Sequence, residues 1–149
     1  MANTMQLTRF TDLGLRVLMY LTHREHDTPV TITEIANNFA VSRNHLVQVV
    51  HFMGLEGWIR TTRGKGGGLA LAHPPQEYRL GDIIQRMEAP IDLIDCAEPP
   101  CALRNGCQLK LALNTGLATF FETMNRYTLQ DIIASPTGEA IIQLHRQAH

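Results

Sequence analysis

Apolar residues recur along the first half of the chain at helical spacing, and short polar stretches with capping residues break the runs. From Thr11 to about Glu25, "TDLGLRVLMYLTHRE" sets Leu15, Val17, Leu18, Met19 and Leu21 on one broad apolar face, which predicts a helix packed against neighbours. "TITEIANNFA" opens on Thr31 with Glu34 in a capping-box pattern and turns Ile35, Ala36 and Phe39 inward as a short second helix. After "AVS", Ser42 caps a third helix in which Leu46, Val49, Val50 and Met53 fall at helical spacing. Two short helices joined by a tight turn predict a helix-turn-helix.

The period then changes. "WIRTTRGKGGGLALA" predicts a strand from Trp58 to about Thr62, a glycine-rich turn and a second strand in which Leu69 and Leu71 alternate with small residues. Trp58 is expected to anchor the core where the hairpin begins. "YRLGDIIQRME" returns to helical spacing, with Leu80, Ile83, Ile84 and Met87 on one face. Beyond residue 108 a long stripe of Leu109, Leu113, Leu117, Phe120, Phe121 and Met124 reads as core or as one helix of a dimer interface. A short helix begins near Thr128, and the tail after Gly138 is expected to fray. The fold class is mainly α with a small β-hairpin wing. Residues 1–75 form a winged helix-turn-helix, 76–108 a linking helix and cysteine loop, and 109–149 a dimerisation helix with a C-terminal segment.

Charge sharpens this picture. The net charge of −1 is uneven, with +2 in residues 1–75 and −3 in residues 76–149, and Glu56 is the only acid between Ser42 and Lys65. That local bias permits contact with double-stranded DNA. On the third helix Ser42, Arg43, Asn44, His45 and Gln48 cluster at the N-terminal end, opposite the apolar face. Arg, Asn and Gln are the side chains able to make paired contacts with base edges in the major groove. The ordinary alternative is a solvated helix face. In the hairpin, Arg60, Arg63 and Lys65 flank bare backbone at Gly66, a combination suited to phosphates. The turn is not a Walker nucleotide loop, which would need glycine at Ile59 and a hydroxyl residue at Gly66. Nor is it a dinucleotide fingerprint, because Leu69 occupies the third glycine position. No catalytic constellation emerges, and a regulator rather than an enzyme is expected.

All three cysteines lie in "CAEPPCALRNGC", with the spacing C-x4-C-x5-C. No apolar run approaches the ~20 residues needed to cross a bilayer, so a cytoplasmic location is expected, where thiols stay reduced and clustered ones suggest metal or redox chemistry. Thiolates suit zinc and iron-sulfur clusters alike. Zinc sites favour close C-x2-C pairs, whereas wider gaps on a Pro/Gly-rich loop better fit a cluster several ångströms across, and reactive thiols stay open as a third reading. Three cysteines would leave one iron of a four-iron cube in need of another donor. The seven histidines show no ligand spacing and read as surface or packing residues.

Together, "MQLTRFTDLGLRVLMYL", "RGKGGGLALA", the cysteines and "TLQDIIASPTG" resemble the bacterial winged-helix regulators that carry iron-sulfur clusters, over nearly the whole chain. Within that family the likeness is greatest to the nitric-oxide-sensing repressors. The resemblance implies a homodimer on a palindromic operator and a 4Fe-4S cluster held by Cys96, Cys101 and Cys107, with Asp12 supplied by the partner subunit as fourth ligand. It also implies release of DNA when nitric oxide attacks the cluster. The cluster-biogenesis branch instead places a histidine three residues after the last cysteine, where this chain has Lys110. The matching N-terminal motif starts at Met5, leaving Met1 to Thr4 ahead of it.

Overall fold

Thr8 starts the first helix. Its hydroxyl oxygen accepts the Thr11 N–H at 3.3 Å, and α1 runs Arg9–Tyr20 rather than Thr11 to Glu25. The computed structural model describes residues 5–25 and 28–148, so Met1 to Thr4 lie outside the described residues. The helix stops early because its apolar positions run out, and the Thr22 hydroxyl turns back to donate to the Met19 carbonyl at 2.6 Å. Leu13, Val17, Leu18, Tyr20 and Leu21 are buried, while Leu15 and Met19 lie half-buried at the edge of the face.

Helix α2 (Ile32–Phe39) is capped by Thr31, whose Oγ1 accepts the Glu34 N–H at 3.1 Å. It ends at Ala40, which takes a left-handed φ of 53°. The Val41 N–H then donates to the Ala36 carbonyl at 3.0 Å, closing the tight turn into α3 (Arg43–Leu55). Leu46, Val49, Val50 and Met53 of α3 are buried against α1 and α2, as their spacing predicts.

Strand β1 (Ile59–Thr61) pairs antiparallel with β2 (Leu69–Leu71) in the register Ile59 to Leu71, Arg60 to Ala70 and Thr61 to Leu69. Ile59 and Leu69 point into the core, and the Leu69 N–H donates to the Val30 carbonyl at 2.8 Å. The hairpin is thereby fastened to the segment leading into α2. Trp58 is half-buried, its ring edge-on to Phe52 at 5.9 Å. A single 3₁₀ turn (Pro75–Glu77) leads to α4 (Leu80–Glu88), whose Leu80, Ile83, Ile84 and Met87 are all buried.

The long helix α5 (Gln108–Met124) departs from the core reading of its stripe. Phe121 is its one buried residue, whereas Leu109 is 60% exposed and Phe120 42%. Leu113, Leu117 and Met124 are half-buried; the helix packs against α4, and past its C-terminal end the Asp82 N–H donates to Asn125 Oδ1 at 2.8 Å. Helix α6 (Leu129–Ile132) carries a complete capping box between Thr128 and Asp131.

The frayed tail expected after Gly138 is instead α7 (Thr137–Ala148), with Ile141 and His145 buried. It returns to α2, where Asn38 Nδ2 donates to the Leu144 carbonyl at 3.4 Å. Apolar burial against residues far back in the chain, rather than local propensity, fixes this helix.

Candidate DNA-reading face and cysteine loop

The turn after α2 places Ser42 as the cap of α3, its Oγ accepting the His45 N–H at 3.3 Å. With Leu46, Val49, Val50 and Met53 inward, the opposite side presents Asn44 and Gln48 to solvent. Arg43 is also exposed, but its Nε donates to Thr33 Oγ1 at 3.1 Å, which fastens the first turn of α3 to α2. His45 lies half-buried, so it belongs to the edge of the face rather than its centre. The stripe continues through Val47 and His51, both exposed, which a reading limited to the N-terminal turn of the helix leaves out.

The wing carries its cations outward. Arg60, Arg63, Lys65 and Gly66 are all exposed. The Thr62 N–H donates to the Gly68 carbonyl at 2.9 Å, and the Gly67 N–H to the Gly64 carbonyl at 3.0 Å. Gly66 has a φ of +81°, which L side chains seldom adopt. At Gly67 a Cβ would strike the Thr62 carbonyl oxygen. The tip is therefore tight, glycine-dependent and flanked by charge.

The cysteine loop spans the gap between α4 and α5. Cys107 stands at the N-cap position of α5 without a side-chain capping bond, and the Cys101 N–H donates to the Cys96 carbonyl at 3.0 Å, closing the first half of the loop. All three thiols are free of disulfide; Cys96 and Cys107 are half-buried and Cys101 is exposed. An open cleft of about 540 Å³ lies beside Cys96, lined by Asp92, Asp95, Arg104 and Lys110 among others. Lys110 Nζ reaches Asp92 Oδ1 at 2.8 Å, a pair that joins the two ends of the loop. That bond chiefly raises the Lys110 pKa, while the Ala97 and Glu98 N–H groups hold the Asp95 carboxyl below the usual carboxylate range.

The donor set suits an iron-sulfur cluster in its chemistry. The soft donors are three thiols on one accessible loop, and the Leu103 N–H already donates to Cys101 Sγ at 3.4 Å. The thiols share a loop but not yet a point. Among the described residues no three His, Cys, Asp or Glu side chains stand together as a metal site. Asp12 sits in the first turn of α1 and is not its cap. Both its oxygens are held by Arg16, at 2.8 and 3.0 Å.

Two ties that the sequence does not reveal connect α4 with the start of α1 and the end of α3. Glu88, the last residue of α4, accepts the Thr8 N–H at 2.8 Å and the Thr8 hydroxyl at 2.6 Å, and also the Thr11 hydroxyl. Burial opposes ionisation of Glu88, but the hydrogen bonds from Thr11 and Thr8 outweigh it and lower the pKa. Two residues earlier, Arg86 makes a two-pronged bond to Glu56 at 2.7 and 2.8 Å, just past the end of α3. No spacing rule links residues this far apart in sequence.

A helix-turn-helix, a basic hairpin and a long exposed helix make up the architecture of a winged-helix transcriptional regulator. A family model described as Rrf2, iron-dependent transcriptional regulator, matches residues 7–135, and the chain belongs to that family. Among solved structures it is similar to a Listeria innocua protein described as a transcriptional regulator, at 27% identity and TM-score 0.71 over 92% of each chain. It is also similar in fold to CymR, the global cysteine regulator of B. subtilis, at 23% identity, TM-score 0.69, and 87% of this chain against 96% of that one. The third likeness in fold is to IscR of T. potens, at 21% identity, TM-score 0.68, and 87% and 86% of the two chains. Among the described residues no helix is long and apolar enough to cross a membrane.

Proposed function

We propose that this chain is a homodimeric repressor that binds a palindromic operator while its loop holds a 4Fe-4S cluster, and that nitric oxide releases it from DNA. Cys96, Cys101 and Cys107 would hold the cluster, with Asp12 of the other subunit as fourth ligand. When bound, the cluster supplies irons able to react with nitric oxide. Asn44 and Gln48 would read base edges, Arg43 and Ser42 the adjoining backbone, and Arg60, Arg63, Lys65 and the bare Gly66 the phosphates. Residues 109–149 would supply the dimer contact, for which the exposed stripe of α5 is suited.

The observation that carries this reading is the position of the cysteine loop. It leaves α4 directly after Glu88, which grips the start of α1, and two residues after Arg86, which grips the end of α3. A change in the loop thus has short mechanical routes to both the reading helix and the helix bearing Asp12. Engaging Asp12 as a ligand would require it to exchange its bond with Arg16, which offers a second contact between loop state and α1.

Lys110 in place of a histidine favours the nitric-oxide-sensing branch over the cluster-biogenesis branch, and the reading face and wing favour a regulator over a small redox or zinc protein. Operator binding by anaerobically purified protein tests the reading. Retardation of the operator should be lost on adding nitric oxide, and Cys101→Ala should neither bind tightly nor respond. Binding by the wild type that is indifferent to nitric oxide refutes the sensing role.

A further inference from the structure

Asn44, Val47, Gln48 and His51 repeat at the spacing of one helical face along α3 and are exposed throughout, opposite the buried Leu46, Val49, Val50 and Met53. Val47 is the exception in chemistry. It stands 40% exposed between the two amide side chains best placed for base edges. A single exposed apolar residue is ordinary on a protein surface. A β-branched residue at an exposed mid-helix position nevertheless has below-average helix propensity, and this one lies on the face turned away from the core. Departures from local preference of that kind collect at functional positions.

The major groove offers one apolar feature on its floor, the 5-methyl group of thymine. A valine is well matched to it. Its χ1 is nearly fixed within a helix, so two methyl groups are presented with little side-chain entropy left to lose. We infer that Val47 is a specificity residue that packs on a thymine methyl, next to the bases read by Asn44 and Gln48. The inference rests on the DNA-binding reading above and adds to it the identity of one base in each half-site. With Asn44 and Gln48 suited to hydrogen-bonding edges, the face then combines polar readout on either side of an apolar contact.

Deoxyuridine tests this, because it removes the methyl and nothing else. Duplexes enriched from a random pool by the full-length protein, purified anaerobically, supply the half-site, and each thymine is then replaced in turn. At one thymine per half-site the wild type should bind about three- to fivefold more weakly without the methyl. Val47→Ser should show no methyl effect at that thymine, Val47→Thr should keep part of it, and Asn44→Ala should leave it intact. Val47 is on the surface, so unchanged melting temperatures should confirm that the variants fold. Equal responses of wild type and Val47→Ser at every thymine, or no thymine at which the methyl matters, would overturn the assignment while leaving DNA binding in place. Failure of the wild type to enrich any duplex would overturn both the assignment and the reading beneath it.

Discussion

His145 lies face to face on Tyr20, with ring centroids 3.8 Å apart and planes 11° from parallel, and one ring nitrogen bonded to the Tyr20 carbonyl oxygen at 2.7 Å. The imidazole is fully buried, and its Nδ1 has no hydrogen-bond partner. The Tyr20 hydroxyl in turn donates to Glu34 and accepts from Asn38 Nδ2 at 2.9 Å. This stack is what docks α7 onto α1 and α2.

Acid should loosen that dock. Burial pushes the His145 pKa below its ordinary value, and the nearby His23 adds to this; the Tyr20 carbonyl, Glu34 and Glu25 oppose it without cancelling it. A depressed folded-state pKa means that the unfolded or undocked form takes up a proton first as pH falls. The stabilisation is therefore complete above about pH 6.5, the unperturbed histidine value. It declines by up to about 1.4 kcal/mol per pH unit between that value and the folded-state pKa. Protection factors in residues 137–148, exchange rates divided into the intrinsic rate at each pH, should fall on acidification in the wild type, and His145→Phe should remove most of that pH dependence.

Two glycine substitutions should behave in opposite ways. At Gly54, inside α3, a Cβ meets nothing within 4 Å, so Gly54→Ala should stabilise the protein by about 0.5 to 1 kcal/mol. At Gly67 the added Cβ would strike the Thr62 carbonyl, so Gly67→Ala should distort the wing and weaken DNA binding. Because the wing tip is exposed, the melting temperature should fall little. Thermal melts and operator titrations of both variants check the pair.

Base and phosphate contacts should fail differently. Asn44→Ala or Gln48→Ala should cost about 1 to 3 kcal/mol at the operator and relax sequence preference. Arg63→Ala or Lys65→Ala should weaken every duplex alike and reduce the steepness of the salt dependence. Titrations against operator and scrambled duplex at several salt concentrations separate the two.

Asp12 should reveal its role through the contrast between loaded and empty protein. Its bond to Arg16 is half-exposed, with side-chain accessibilities of 35% and 37%, so Asp12→Asn should change the stability of the empty protein by under about 1 kcal/mol. If Asp12 is a ligand, the same variant should shift the absorption spectrum of the cluster-loaded protein and its reaction with nitric oxide. A heterodimer of Asp12→Ala and Cys101→Ala subunits should retain one normal cluster, because both defects then fall in one site.

The helix-turn-helix and wing were legible because their signals are local: Thr31 and Ser42 as caps, Leu46 to Met53 at helical spacing, and Leu69 and Leu71 alternating across the hairpin. Helix α7 was not, because His145 and Leu144 are held by Tyr20 and Asn38, more than a hundred residues away. The start of α1 was missed for a similar reason, since Thr8 owes part of its position to Glu88. The stripe on α5 was visible as apolar, but a pattern does not name its partner: Phe121 is buried, Leu113, Leu117 and Met124 are half-buried, and Leu109 and Phe120 stay exposed. The cysteines were found by spacing, which places them on one loop and says nothing of how closely their sulfurs approach.

Iron and acid-labile sulfide analysis of anaerobically purified protein, read beside its visible spectrum, tests the central claim most directly. The account predicts a brown protein with about four irons and four sulfides per subunit, and loss of that colour when Cys96, Cys101 or Cys107 is replaced by alanine. A colourless protein carrying stoichiometric zinc, or a triple cysteine variant that keeps its iron, would contradict it.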